Sequence, residues 1–344
     1  MIKQATICSL ALLLIACRKD KPASNSNTQA IITTSNSVFI CNEGNFQFGN
    51  AKLSIYDPES NTVQEDVFQT TNKRPLGDVF QSMNIFNGKG YLVVNNSSKI
   101  EVINPRTFVV QATITGLSSP RYFLAISNSK AYVTDYAANK INILDLSNNT
   151  LSGSITCPGW TEQLLLTYGK AFVSTQTNNK IYVINTLTDV LTDSITIGYS
   201  SNAIKEDKNG KLWVLCNGSK TKGIAASLHK INPITNAVEQ TFQFPSLNDY
   251  PWRLAMNGAN DTLYYLNKNV YRMSIEDKTL PTTAFISTQQ QIFYGLGIDP
   301  REGTIYLADA VDYVQRGIVY RYQPNGKPIG SFLAGIIPSG FYFN

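Results

Sequence analysis

From about residue 37 onward the chain alternates apolar and polar positions in short runs, and polar turns separate the runs. A period of two marks half-buried β-strands, and no stretch carries a convincing helical period. One pattern recurs: a polar turn, often ending Gly-Lys, then a strand with an early aromatic. The instances are SVFI, GKGYLVV, SKAYVTD, GKAFVST, GKLWVLC, DTLYYLN and GTIYLAD. Their aromatics are Phe39, Tyr91, Tyr132, Phe172, Trp213, Tyr264 and Tyr306, spaced 40 to 52 residues apart. A basic period near 40 with insertions in two units is the mark of a repeat protein.

Each unit continues with a second strand and a turn at Pro, Asn or Asp, as in LSIYDPES, IEVINPRT, INILDLSN and IYVINTLT. A third strand follows, as in VVQATI or LTDSITI, and a fourth precedes the next Gly-Lys turn, as in SMNIF or YFLAIS. Four short strands in each of seven units predict an all-β, seven-bladed β-propeller. The first unit lacks an inner strand before Val38, while the last ends in the surplus segment Gly335 to Phe343. That tail is expected to supply the missing strand, pair an open edge and close the ring.

The N-terminus sets an address. Lys3 precedes the apolar run Ile7 to Ile15, a secretory core about half as long as a membrane span. It ends in Leu14-Ile15-Ala16-Cys17, which resembles the bacterial lipobox. The expected organisation is a lipoprotein signal peptide over 1–17, cleaved before Cys17, a tether over 18–36 and the propeller over 37–344. Several acyl chains on Cys17 would anchor the protein stably. Arg18, rather than the Asp that retains lipoproteins at the inner membrane, directs the expectation to the outer membrane. Surface exposure stays open, because the residues after Cys17 are mostly basic.

Composition narrows the chemistry. Charged residues make up 15% and the net charge is +5, with Lys and Arg scattered singly. A nucleic-acid partner wants a basic stripe, so none is expected. Cys41, Cys157 and Cys216 match no zinc spacing and read as buried small residues. Cys41 and Cys216 fall in different blades, which argues against a disulfide. His229 is the sole histidine and sits on a third strand, away from the tunnel. No Ser-His-Asp set, phosphate loop or complete calcium loop is present. The expectation is a binding protein with no cofactor and no metal.

Insertions concentrate on one face: 43–52, 217–227 and 309–317, with blade-to-blade loops 72–81, 245–252 and 287–294. Loops on a rigid scaffold carry function, and Trp, Tyr and Arg dominate binding hot spots. The candidate ligand-binding residues are Phe46, Phe48, Arg74, Arg121, Tyr136, Trp160, Tyr250, Trp252, Arg253, Tyr294, Asp312, Tyr313 and Arg316. Arg121 and Arg253 stand at equivalent points of their repeats, which suits a repeated structural salt bridge as well as a ligand contact. Tyr122, Trp252 and Phe80 adjoin inner strands and suit packing between blades.

The segments FICNEGNFQFGNAKLSIYDPES, GDVFQSMNIFNGKGYLVVNNSSKIEVINP, KNGKLWVLCNG and GLGIDPREGTIYLADAVDYVQRGIVYRYQPNG carry a resemblance. The chain resembles the YncE-like (YVTN-type) propeller lipoproteins of Bacteroidetes over nearly its whole mature length. That group includes BtuG-type surface proteins, which capture cobalamin and pass it to a TonB-dependent transporter. The resemblance implies an outer-membrane lipoprotein that binds a small molecule such as a corrinoid and assists its uptake. Two alternatives remain: a protein-interaction or cell-envelope scaffold, and a metal-dependent lactonase-like or lyase-like enzyme.

Overall fold

A computed structural model describes residues 34–344; the leader, Cys17 and the tether up to residue 33 lie outside the described residues. Seven antiparallel sheets form the blades of a β-propeller, six of four strands and one of three. Among the described residues no helix is long and apolar enough to cross a membrane.

The repeat aromatics explain why the sheets assemble. Phe39, Tyr91, Tyr132, Phe172, Trp213, Tyr264 and Tyr306 are all buried on the second strand of their blades. Burying one such ring stabilises by about 2–3 kcal/mol. The apolar clusters form wedges between neighbouring blades. Tyr91, Val93 and Val102 of the second blade meet Phe123, Val133 and Leu144 of the third. Trp213 and Leu228 of the fifth blade meet Leu254, Leu263 and Tyr265 of the sixth. Each blade is therefore stable only beside its neighbours, as in other repeat architectures.

The tail closes the ring as the sequence predicts. Strand Pro338–Phe343 pairs antiparallel with Val38–Asn42, setting Val38 against Phe343 and Cys41 against Gly340. The buried Asn42 amide fastens this seam. Its Nδ2 donates to Ile40 O, Lys52 O and Ser54 Oγ, and its Oδ1 accepts from Gly335 N at 2.8 Å. A side chain at Gly335 would collide with Asn42, so glycine is required there. Arg301 clasps both ends of the domain: it donates to Ser35 O and to Asn344 O while paired with Asp299.

Two features depart from the sequence reading. A six-residue helix, Val67–Asn72, follows the first blade; Asp66 caps it, accepting from Gln69 N. Six residues are too few to display a helical period. The sixth blade keeps three strands, and its outer edge is reduced to a single bridge between Val270 and Ile286. The segment 275–285, with Pro281, supplies no strand there. Among the described residues Cys41, Cys157 and Cys216 are free and buried, and burial pushes the Cys157 thiol up to about 12.

His229 lies in the third strand of the fifth blade, Ser227–Asn232. Its Nε2 accepts from Gly198 N at 2.9 Å, and its Nδ1 meets Thr241 Oγ1 at 3.1 Å. Burial lowers its pKa from 6.5 to about 4. Between these values the unfolded chain binds the proton and the folded chain does not. The contribution is complete above pH 6.5 and is lost as pH falls toward 4. From pH 7 to 4 the wild type should lose about 3 kcal/mol more stability than His229→Gln in urea unfolding. Deleting residues 338–344 should lower the thermal midpoint by about 10 °C or more, because it opens the seam; calorimetry checks this.

Candidate functional site

Every inner strand carries an extra residue near its first turn. In the second blade Phe80 pairs with Val94 and Ser82 with Val93, so Gln81 is left over. The same one-residue bulge recurs at Arg121-Tyr122, Glu162-Gln163, Asn202, Arg253-Leu254, Tyr294 and Ser339. A bulge re-aims side chains and often borders a functional site. Seven at one level turn a ring of polar side chains toward the tunnel mouth. Backbone strain gathers there too. Val79 and Ile337, both β-branched, take φ of 59° and 52° immediately before inner strands, and Arg253 takes 56°. Such conformations persist where surrounding structure enforces them.

The mouth encloses about 230 Å³. Its lining includes Glu43, Gln81, Arg121, Tyr122, Trp160, Glu162, Tyr250, Trp252, Arg253 and Tyr294. Of the candidate residues, Arg121, Trp160, Tyr250, Trp252, Arg253 and Tyr294 thus meet in one cavity. Tyr136 packs edge-on against Trp160 at 4.4 Å between ring centres, and Tyr313 edge-on against Tyr294 at 5.7 Å. Phe46 and Phe48 stand exposed on the 43–51 loop. That loop is tied to the 310–315 loop by Asn45 Nδ2 donating to Tyr313 O at 2.6 Å.

The remaining candidates have other partners. Arg74 forks onto the buried Glu101, at 2.8 and 2.9 Å, and its guanidinium lies over Phe68 of the helix. Arg316 pairs with Glu65. Asp312 accepts from Gln315 N, from the Gln315 side-chain amide and from Val314 N in its own turn, and these bonds hold its carboxyl down at about 2.

Two arginines face each other across the mouth with different surroundings. Arg121 bonds through all three of its nitrogens: Nε and Nη2 donate to Glu162 at 2.9 and 2.7 Å, and Nη1 donates to Gln81 Oε1. Glu162 also accepts from Trp160 Nε1 at 2.6 Å. Burial opposes the Arg121 charge, but Glu162 more than offsets it and raises its pKa. Arg253 uses only Nε, which donates to Tyr294 O at 2.9 Å. Its Nη2 lies 3.9 Å from Glu43 Oε1, too far for a hydrogen bond. Its guanidinium sits over the Trp252 and Tyr294 rings at 5.5 and 5.1 Å. Burial pushes the Glu43 carboxyl above its ordinary value, with Arg253 offsetting part of this. Tyr294 Oη donates to Glu43 Oε2 at 3.2 Å. Among the described residues, no group of His, Cys, Asp and Glu is disposed to hold a metal ion.

Glu162 and Gln81 escape the sequence reading. Their one signal is position: each is the second residue of an inner strand, aligned with Arg121.

Fold and mouth together define a seven-bladed propeller with a polar, aromatic-walled cavity at one end of its tunnel. The chain belongs to the DUF5074 family, described as a domain of unknown function, whose model matches residues 36–343. No curated protein matches the sequence. Among solved structures it is similar to a quinonprotein alcohol dehydrogenase-like protein from Bacteroides thetaiotaomicron. That match has 14% identity and a TM-score of 0.70, covering 90% of this chain and 78% of the other. It is also similar to the periplasmic gluconolactonase of Pseudomonas aeruginosa, at 12% identity and a TM-score of 0.68, covering 89% and 99%. Virginiamycin B lyase from Staphylococcus aureus matches at 14% identity and 0.60, covering 81% and 90%. At these identities the likeness is one of fold.

Breaking the buried Arg121–Glu162 pair should cost about 3 kcal/mol in Glu162→Ala, since it strands a buried charge. The double variant Arg121→Met, Glu162→Leu should recover much of that loss in urea unfolding.

Proposed function

We propose that this propeller captures a small amphiphilic ligand at its loop-rich mouth. The carrying observation is Arg253: a half-buried guanidinium with only one nitrogen hydrogen-bonded among the described residues, seated over two aromatic rings inside the cavity. A planar fork with open donors suits a carboxylate, phosphate or amide edge, and the rings suit a flat apolar body. The cavity is smaller than a corrinoid. A ligand of that class would insert one side group beside Arg253 and spread over Tyr250, Phe46 and Phe48, which are exposed on the rim. With the lipobox at Cys17, the reading is an outer-membrane lipoprotein that captures such a ligand and passes it to a TonB-dependent transporter.

Binding rather than turnover is supported by the state of the mouth's carboxylates. Glu162 accepts from Arg121 and Trp160. Glu43 faces Arg253 and Tyr294. One observation favours a second reading, proton-transfer chemistry of the lactonase or lyase kind: Glu43 is a largely desolvated carboxyl with a raised pKa beside a tyrosine. Activity on a lactone substrate that vanishes in Glu43→Gln would support that reading over the first.

The test is calorimetric titration of the purified protein with cobalamin. Micromolar or tighter binding, weakened about tenfold or more in Arg253→Gln and in Trp160→Ala, supports the corrinoid reading. No heat at micromolar concentration removes it.

A further inference from the structure

Below the mouth the tunnel continues into a second cavity of about 490 Å³. The two share Gln81, Tyr122, Gln163 and Arg253, so they are consecutive sections of one passage. Their electrostatics differ. The mouth sets two carboxylates, Glu43 and Glu162, against two arginines. The lower section is lined by Arg253 at its upper end and by Lys205, with no Asp or Glu in its wall. The remaining wall is mixed: the apolar side chains Met83, Leu124, Leu165, Leu254, Met256 and Leu296 alternate with polar groups such as Ser82, Asn84 and Gln163.

Lys205 stands in the inner strand of the fifth blade, Ser201–Glu206, opposite the repeat aromatic Trp213. The register places residues at the same level around the ring: Asn84 faces Tyr91, Leu124 faces Tyr132, Leu165 faces Phe172, and Ala255 faces Tyr264. Lys205 is the one charge among them. Its ammonium forms no ion pair or hydrogen bond among the described residues, and neither does the Asn84 amide. Glu206, the adjacent acid, accepts instead from the Thr167 hydroxyl at 2.8 Å. The next two blades contribute Ala255 and Gly297, so space is left beside the ammonium. Burial lowers the Lys205 pKa, and no acid offsets it. Lys205 is half-buried, and a partly desolvated charge without a partner is unfavourable, so a bound anion would relieve that cost.

We infer that the lower tunnel is a binding site for a monocarboxylate on an unbranched apolar chain, with Lys205 as the cation that receives the carboxylate and Asn84 as a second donor. The apolar wall around Met83, Leu165 and Leu296 takes the chain. The site does not rest on the ligand reading of the mouth, because Trp160 and Glu162 take no part in it.

Isothermal calorimetry of the purified protein with octanoate tests this, with octanol and sodium nitrate as probes of the chain alone and the charge alone. Octanoate should bind and octanol should not. Lys205→Met should weaken octanoate about tenfold or more while leaving the thermal midpoint equal or higher, since it removes an unpaired, half-buried charge. Trp160→Ala should leave octanoate binding intact, which separates this site from the mouth. Equal octanoate affinity in Lys205→Met would overturn the inference. So would a response to nitrate without octanoate, loss of octanoate binding in Trp160→Ala alone, or no octanoate binding by the wild type.

Discussion

The seam between Val38–Asn42 and Pro338–Phe343 is the constraint on which the remainder of this molecule depends. A propeller blade cannot bury its own aromatic; it needs a neighbour on each face. A ring of seven blades has no unpaired blade only if the first and last are joined. Here the join consists of a five-residue ladder, the Asn42 amide bonded through both its nitrogen and its oxygen, and Arg301 holding Ser35 and Asn344 at the two ends of the domain. Tyr306 of the seventh blade and Val38, Ile40 and Tyr56 of the first share one apolar wedge across that join. The seam also has a functional consequence. Glu43 follows directly on Val38–Asn42, the strand the tail pairs with, and its N–H is bonded to Ile337 O at 3.0 Å. Closure therefore sets Glu43 opposite Arg253 and completes the mouth.

The second determinant is the shared bulge. Plain alternation would send each inner-strand side chain into the wedge on one side or the other. One extra residue per strand, repeated at one height, breaks that alternation and directs Gln81, Arg121, Glu162, Asn202, Arg253, Tyr294 and Ser339 inward together. The backbone holds strained φ values at Val79, Ile337 and Arg253 to do so. The outcome is an electrostatic division of the passage: paired charges at the mouth, and below it a section without acids that holds a lone ammonium.

The fold was legible because its signals are periodic. Seven aromatics at a near-constant spacing and an unmatched tail are features that a single sequence displays directly. Arg253, Trp252 and Trp160 were visible as aromatics and arginines near loops. Glu162 was not, because a bulge shifts register without changing composition. Nothing in the alternation of TEQLLLT marks its second residue as turned inward. Arg74 and Arg316 show the opposite limit: their types suit a ligand, but Glu101 and Glu65, distant or unremarkable in the chain, already pair with them. The helix at Val67–Asn72 and the weakened outer edge of the sixth blade are local features too short to leave a period.

Native-state hydrogen exchange along the backbone reads the closure directly. If the terminal seam holds the ring, the amides of 38–42 and 338–343 exchange with the same free energy as those of the inner strands elsewhere, such as 161–167, at the level of global unfolding. Exchange of the 338–343 amides by a separate, low-energy opening, while the other blades stay protected, would contradict the account and leave the mouth without its fixed wall.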